Sequence, residues 1–350
     1  SPPSCIRIIP VITCFGHFKP ASWRDIRYSL DSPHWGHGTM SAQKPSETYS
    51  KVASAMHIQS TSITRSQARD TVRVTFPSGL ILEGPVGTTI EQFLQTARDL
   101  EPGDDSSPII AGIFDGKLRE LAHAVRRDAD LAPVLLSSSD GGRIYRRSLV
   151  MLLTTAVDEL WPGTKVSVSY AVPDGGFYCF PMQRQPFTAE ELAQIEAHMR
   201  QIVRDSSPIS KKIAPLEEAV ALFEQRGDDD KVRLFKQRTR NGLTIYTLRG
   251  RSDYYFGYMV PSTSYLTVFR LVQAAPGFIL QYPTADQPTA LGEIKPYAKI
   301  GSVFQQAEEW LNRMGVEDIG RLNRIVREDR EQELILVAEA LHEQQIARIA

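Results

Sequence analysis

The hydrophobic pattern becomes regular near Asp70. Val72, Val74 and Phe76 alternate with polar residues, Pro77-Ser78-Gly79 marks a turn, and Leu80 and Leu82 resume the alternation, so a β-hairpin is expected. Thr88 stands three residues before Glu91, the spacing of a capping box. Ile90, Phe93, Leu94 and Ala97 then recur at helical spacing. Short strands are expected at 109–114 and near Val134-Leu135. Asp140-Gly141-Gly142 reads as a break, and a helix over 145–160 carries Leu149, Leu152, Leu153, Ala156 and Leu160 on one face until Pro162-Gly163 stops it. Val166, Val168 and Tyr170 alternate next, Pro173-Asp174-Gly175-Gly176 turns, and Phe177-Tyr178-Cys179-Phe180 reads as the returning strand. Thr188 and Glu191 form a second capping box, ahead of a stripe at Leu192, Ile195, Met199 and Ile202. Pro215 suits the first turn of another helix, which Gly227 can end. Strand character returns at 243–246, 266–269 and 278–280, and residues 301–350 are helical and highly charged.

Residues 1–68 show no durable period and read as a flexible leader. Met40 is a candidate natural start, and the segment before it lacks the features of a signal peptide. Four histidines, His17, His34, His37 and His57, fall in this leader without the Asp or Cys pattern that would complete a metal site.

The 350 residues are 42% apolar and 23% charged, an ordinary globular composition. The formal net charge of -1 provides no global field for tight nonspecific binding to a phosphate backbone, although it leaves local basic faces open. Three cysteines without a CxxC pair suit a reducing, cytoplasmic setting better than a disulfide scaffold. No apolar run is long enough to span a bilayer, so no membrane partner is expected.

Candidate chemistry is sparse. A phosphate-binding GxxxxGK[ST] loop is absent, and the stretch Gly84 to Thr89 lacks its lysine. His123, His198 and His342 do not form a zinc-ligand pattern, so no metal or other cofactor is expected in this chain. The aromatic run from Tyr254 to Tyr258 reads either as a sheet core with edge tyrosines or as a stacking surface for bases. Basic clusters occur at Arg146-Arg147, at Lys211-Lys212, and from Lys231 to Arg240 with Arg251 nearby. They are either solvated surface or an RNA or nucleoside footprint contributed by Arg146, Lys231, Lys236, Arg238, Arg251, Tyr254 and Tyr258.

Longer segments carry a family resemblance. VRVTFPSG from Val72, EGPVGTTIEQFL from Glu83 and IIAGIFDGKLREL from Ile109 resemble the TGS domain of threonyl-tRNA synthetases. The segments starting at Leu153, Phe187 and Tyr254 resemble the second additional, editing domain that those enzymes share with alanyl-tRNA synthetases. The fold implied is α+β: a β-grasp domain over 69–138, an editing-like α+β domain over 140–300, and a helical linker over 301–350. The same arrangement is similar to the front of uridine-kinase-like proteins. It implies a chain truncated before a P-loop kinase domain, its partner in cis, and ATP and Mg²⁺ would serve only that missing domain. On this resemblance the chain is a non-catalytic accessory region that binds a nucleoside or RNA. The alternatives are an RNA-binding module derived from threonyl-tRNA synthetase and an aminoacyl-tRNA deacylase with a rebuilt site.

The resemblance also locates a relic pocket. The family's editing site uses a His-x-x-x-His pair and a later Cys-x-x-x-His. Alignment on Glu159-Leu160-Trp161-Pro162 and on Gly257 to Pro261 puts Arg147, Met151, Tyr255 and Met259 in those four places. No imidazole and no thiol remain there, and a phenol with a reference pKa of about 10 is a weak base at neutral pH. A rebuilt site would have to recruit His198 or Cys179.

Overall fold

The computed structural model describes residues 68–103, 106–239, 241–295 and 298–349. The expected leader up to residue 67, with its four histidines and Met40, lies outside these residues, as does Arg240. Among the described residues the architecture is α+β, with three sheets and helices packed against them.

The expected hairpin forms from β1 (Thr71–Thr75) and β2 (Ile81–Pro85), paired antiparallel around a turn in which Gly79 has φ +91°. A positive φ of this kind costs glycine little and a branched residue a great deal. Helix α1 (Ile90–Leu100) follows and buries Ile90, Phe93 and Leu94. Its cap is one residue later than the sequence spacing suggested. The Thr89 side chain accepts from the Gln92 backbone N–H, and the Gln92 side chain reciprocates. That register frees Glu91, which accepts a hydrogen bond from the distant Tyr265 hydroxyl. Strands β3 (Ile109–Phe114), β4 (Lys117–Glu120) and β5 (Ala129–Leu135) complete a sheet of order β2-β1-β5-β3-β4, with β1 and β5 parallel. Its four-residue strand β4 is charged at both ends and gives no hydrophobic alternation to read.

Helix α2 (Ser139–Leu160) begins earlier than expected and runs straight through Asp140-Gly141-Gly142. Ser138 caps it through its side-chain oxygen, 3.1 Å from the Gly141 backbone nitrogen. The glycine at 141 answers to packing, since a Cβ there would lie 2.0 Å from the Leu135 carbonyl oxygen. The largest core forms around α2. Ile110, Ala111, Val134 and Leu136 from the first sheet's region share it with Leu149, Leu152 and Leu153 of the helix.

Strands β6 (Val166–Val172) and β7 (Gly176–Pro181) belong to a second sheet, and helix α3 (Ala189–Arg204) has the expected capping box at Thr188 and Glu191. Its buried residues are Leu192, Ile195, Met199 and Ile202, the four of the sequence stripe. Strand β8 (Ile209–Pro215) leads into α4 (Leu216–Gln225) and α5 (Asp229–Lys236). The third sheet has the order β10-β9-β8, using β9 (Gly242–Leu248) and β10 (Arg251–Tyr254).

Residues 266–269 do not form the expected strand. A short 3-10 turn at Thr263–Tyr265 precedes them, and pairing starts only at β11 (Arg270–Ala274), which joins β12 (Gly277–Gln281) in the order β11-β12-β7-β6. Leu266 and Phe269 are nevertheless buried. The backbone of Val268 is satisfied by a side chain instead of a ladder: the Tyr145 hydroxyl donates to its carbonyl at 2.9 Å and accepts from its N–H at 3.0 Å.

The helical end comprises α6 (Ala298–Arg313), α7 (Ile319–Arg327) and α8 (Glu331–Ile349). Phe304 of α6 stacks on Tyr170 with ring centroids 4.1 Å apart. Helix α7 is tied to α5 by Arg233–Asp318 at 2.6 Å. In α8, Leu334 and Leu341 are half-buried while Leu336 and Val337 are exposed. No helix among the described residues is long and apolar enough to cross a membrane.

Candidate ligand-binding cleft

Helix α2 presents Arg147, Met151 and Thr154 at the three- and four-residue spacing that stacks side chains on one face. The segment that follows β10 lies against that face. Gly257 has φ +109°, and a Cβ at this position would meet the Arg147 guanidinium at 2.8 to 3.0 Å, so glycine is required both by conformation and by space. Arg147 Nη1 donates to the Tyr258 carbonyl at 2.5 Å. One residue along the helix, Ser148 Oγ accepts from Val260 N–H at 3.1 Å and donates to the Ile144 carbonyl at 2.9 Å. Tyr255 is half-buried, and its hydroxyl pairs with the Thr154 side chain. Burial pushes this phenol well above its ordinary value, and nearby Asp253 adds to the shift. Met151 and Met259 are 0% and 2% exposed and act as packing atoms of the main core.

The four positions of the relic pocket therefore meet across one junction, in the roles of anchor, filler and hydrogen-bonded phenol. Arg147 is a permanent cation, the methionines have no ionisable proton, and Tyr255 holds its proton more tightly than a free phenol. None of the four can serve as a neutral-pH base. The residues considered for a rebuilt site stand apart from this junction. Cys179 is fully buried, and burial pushes its thiol up, away from the reactive thiolate. His198 Nε2 lies 2.7 Å from Glu159 Oε2, twelve residues along α2 from Arg147, which is about 18 Å of helix.

The other sequence-picked residues have varied placements. Lys231 and Arg251, expected as ligand contacts, belong to a network of ion pairs with Arg226, Asp228 and Asp253. Burial alone would raise the Asp253 carboxyl, yet Lys231 and Arg226 hold it below the usual carboxylate range. Arg251 also pairs with Asp158 at 3.0 Å. Arg146 lies over the Tyr282 ring, 5.3 Å from its centroid. Tyr254 packs edge-on against Phe235, so it serves a core rather than a stacking surface. Lys236 is exposed and paired with Glu224, and Arg238 is exposed.

Tyr258 alone of that set borders a cleft of about 690 Å³ between the first and third sheets. Its walls include Arg119, His123, Arg126, Lys211 and Tyr246. Glu120 crosses from β4, accepting from Lys211 at 2.9 Å and from the Tyr246 hydroxyl at 2.5 Å. Burial, then that hydrogen bond, pushes the Tyr246 phenol up. Lys211 stands 4.8 Å from the Tyr258 ring centroid, and Arg119 Nη1 donates to the Tyr258 hydroxyl at 3.2 Å. Sequence reasoning missed this assembly apart from Tyr258 and the Lys211-Lys212 pair. The available signal was the close spacing of Arg119, His123 and Arg126 along the chain.

The chain is similar to threonine–tRNA ligases. It is 33% identical to that of Methylococcus capsulatus over 203 residues, covering 58% of this chain and 31% of the relative. It is 35% identical to the ligase of Marinobacter nauticus over 167 residues, 47% of this chain and 26% of the relative. The ligase of Teredinibacter turnerae is 34% identical over 203 residues, again 58% and 31%. The chain thus spans under a third of the length of these curated relatives. No protein-family model matches it. These similarities are to threonine–tRNA ligases and lend no support to the expectation of a uridine-kinase-like protein with a kinase domain to follow.

Proposed function

We propose that this chain is a non-catalytic, RNA-associated accessory module with tRNA as its partner. Residues 69–138 are read as a β-grasp TGS domain, 140–300 as an editing-like domain, and 301–350 as a helical extension. The strand order β2-β1-β5-β3-β4 with α1 packed on one face supports the first assignment. Similarity over 203 residues to enzymes that join threonine to tRNA supports the choice of partner.

The observation that carries the non-catalytic reading is the junction of Arg147, Met151, Tyr255 and Met259. Ester hydrolysis needs a base for water and donors for the developing oxyanion. Here the one cation is spent on the Tyr258 carbonyl and both thioethers are core. Incubating the purified chain with seryl- and threonyl-charged tRNA should give ester loss no faster than buffer, while a gel-shift assay shows salt-dependent retention of the same tRNA. Hydrolysis clearly above buffer, or no retention at 50 mM salt, would overturn the proposal.

A further inference from the structure

The charges lining the cleft do not balance. Among the described residues Arg119 reaches only neutral oxygens, the Leu118 carbonyl at 3.1 Å and the Tyr258 hydroxyl at 3.2 Å. Arg126 is exposed and makes no ion pair among the described residues. Lys211 is matched by Glu120. Three cations against one carboxylate leave a formal surplus of two positive charges in about 690 Å³. His123 lies within reach of the same charges. Burial lowers the pKa of its imidazole, and Arg119, Arg126 and Lys211 lower it further against the opposing pull of Glu120. The site is thus a concave, cationic surface with a neutral histidine at its wall.

We propose that this cleft binds neighbouring backbone phosphates of an RNA strand, with Arg119 and Arg126 on the phosphate oxygens. The inference rests on the RNA association proposed above and names the surface that performs it. Guanidinium groups match phosphate oxygens with two parallel donors, so two arginines without an ion pair among the described residues suit successive phosphates in one cleft. Stacking of a base is disfavoured because Lys211 already occupies the face of Tyr258, and both it and Glu120 are held by the Tyr246 side. Recognition is accordingly of the backbone and indifferent to sequence.

The test combines two probes on the full chain. Binding of a fluorescent 12-base-pair RNA duplex is followed by anisotropy from 50 to 200 mM KCl, and the His123 ring resonance is followed by NMR during titration with tripolyphosphate. Arg119→Gln/Arg126→Gln should bind the duplex about 100-fold more weakly at low salt, tenfold per lost charged contact. Its log–log salt slope should flatten by about 1.8, at 0.9 per phosphate. Arg119→Lys/Arg126→Lys should keep most of that slope, and Lys236→Gln should change affinity less than about threefold. Tripolyphosphate should raise the His123 pKa in the wild type and leave it unmoved in the Gln pair. Duplex binding undiminished in the Gln pair would overturn the cleft while leaving the RNA association standing. A His123 response without duplex binding would overturn both readings and leave a simple anion site.

Discussion

The adjacent glycines at the start of α2 should respond to alanine with opposite signs. At Gly141 an added Cβ would lie 2.0 Å from the Leu135 carbonyl oxygen, 2.7 Å from its carbon and 3.1 Å from the Leu136 Cα. All three are backbone atoms, so no side-chain rotation relieves the contact. Carbon and oxygen pack comfortably at about 3.5 Å, so the strand β5 end and the helix would have to separate by more than about 1 Å. That opens the core shared by Leu136, Ile144 and Tyr145, and overpacking of this kind costs about 1–3 kcal/mol or more. Alanine's helix advantage over glycine, about 1 kcal/mol, offsets only part of it. At Gly142 the nearest atom is 3.7 Å away, an ordinary contact, and the backbone is helical, so Gly142→Ala should stabilise by about 0.5–1 kcal/mol. Urea unfolding followed by circular dichroism separates the two: the Gly141→Ala midpoint should fall and the Gly142→Ala midpoint should rise with unchanged slope. Equal effects of the same sign would refute the packing argument and return both glycines to the role of a flexible break.

Two further outcomes follow from buried polar groups. Tyr145→Phe removes the hydroxyl that satisfies both backbone groups of Val268 and should cost about 2–4 kcal/mol in the same unfolding assay; a cost below 0.5 kcal/mol, on the ordinary scale of about 1 kcal/mol per hydrogen bond, would show that water replaces it. Asp230 is 1% exposed with neither carboxylate oxygen well hydrogen-bonded, and burial pushes its carboxyl up to about 6 from an ordinary 3.8. Its proton is bound in both folded and unfolded states well below pH 3.8, so its penalty to folding is absent there, develops as pH rises from 3.8 to about 6 while only the folded state keeps the proton, and is complete above about 6. Asp230→Asn should therefore stabilise at pH 7, by an amount on the order of 2–3 kcal/mol, and the gain should vanish below about pH 3. A gain independent of pH would contradict this assignment.

Elements with a repeating apolar stripe were legible from the residues alone. The α3 stripe and its Thr188–Glu191 cap are the clearest case, because local chemistry and burial agree there. Legibility failed where tertiary contacts override local signals. Gly141-Gly142 resembles a break until the Leu135 carbonyl is seen against it. Residues 266–269 have the alternation of a strand, but Tyr145, over 120 positions earlier, takes the place of a pairing partner. The cap forms at Thr89 with Gln92 as its partner, and Glu91 accepts from the remote Tyr265 instead. The junction of Arg147, Met151, Tyr255 and Met259 was assembled by resemblance, and helical spacing explains only its first two members. The basic cleft was opaque for a different reason. Its cations come from β4, the turn after it and β8, which no local pattern brings together.

The core around α2 bears on how such a region can be inherited. Ile110, Ala111, Val134 and Leu136 are at most 6% exposed, and they share their core with Leu149, Leu152 and Leu153 of the long helix instead of with α1. A copy of the first sheet carried alone into another gene would arrive with an uncovered apolar back, prone to self-association. Moved with α2, it keeps its cover. Recombination that preserves solubility must therefore cut beyond Leu160, and the two regions should travel between genes as a pair.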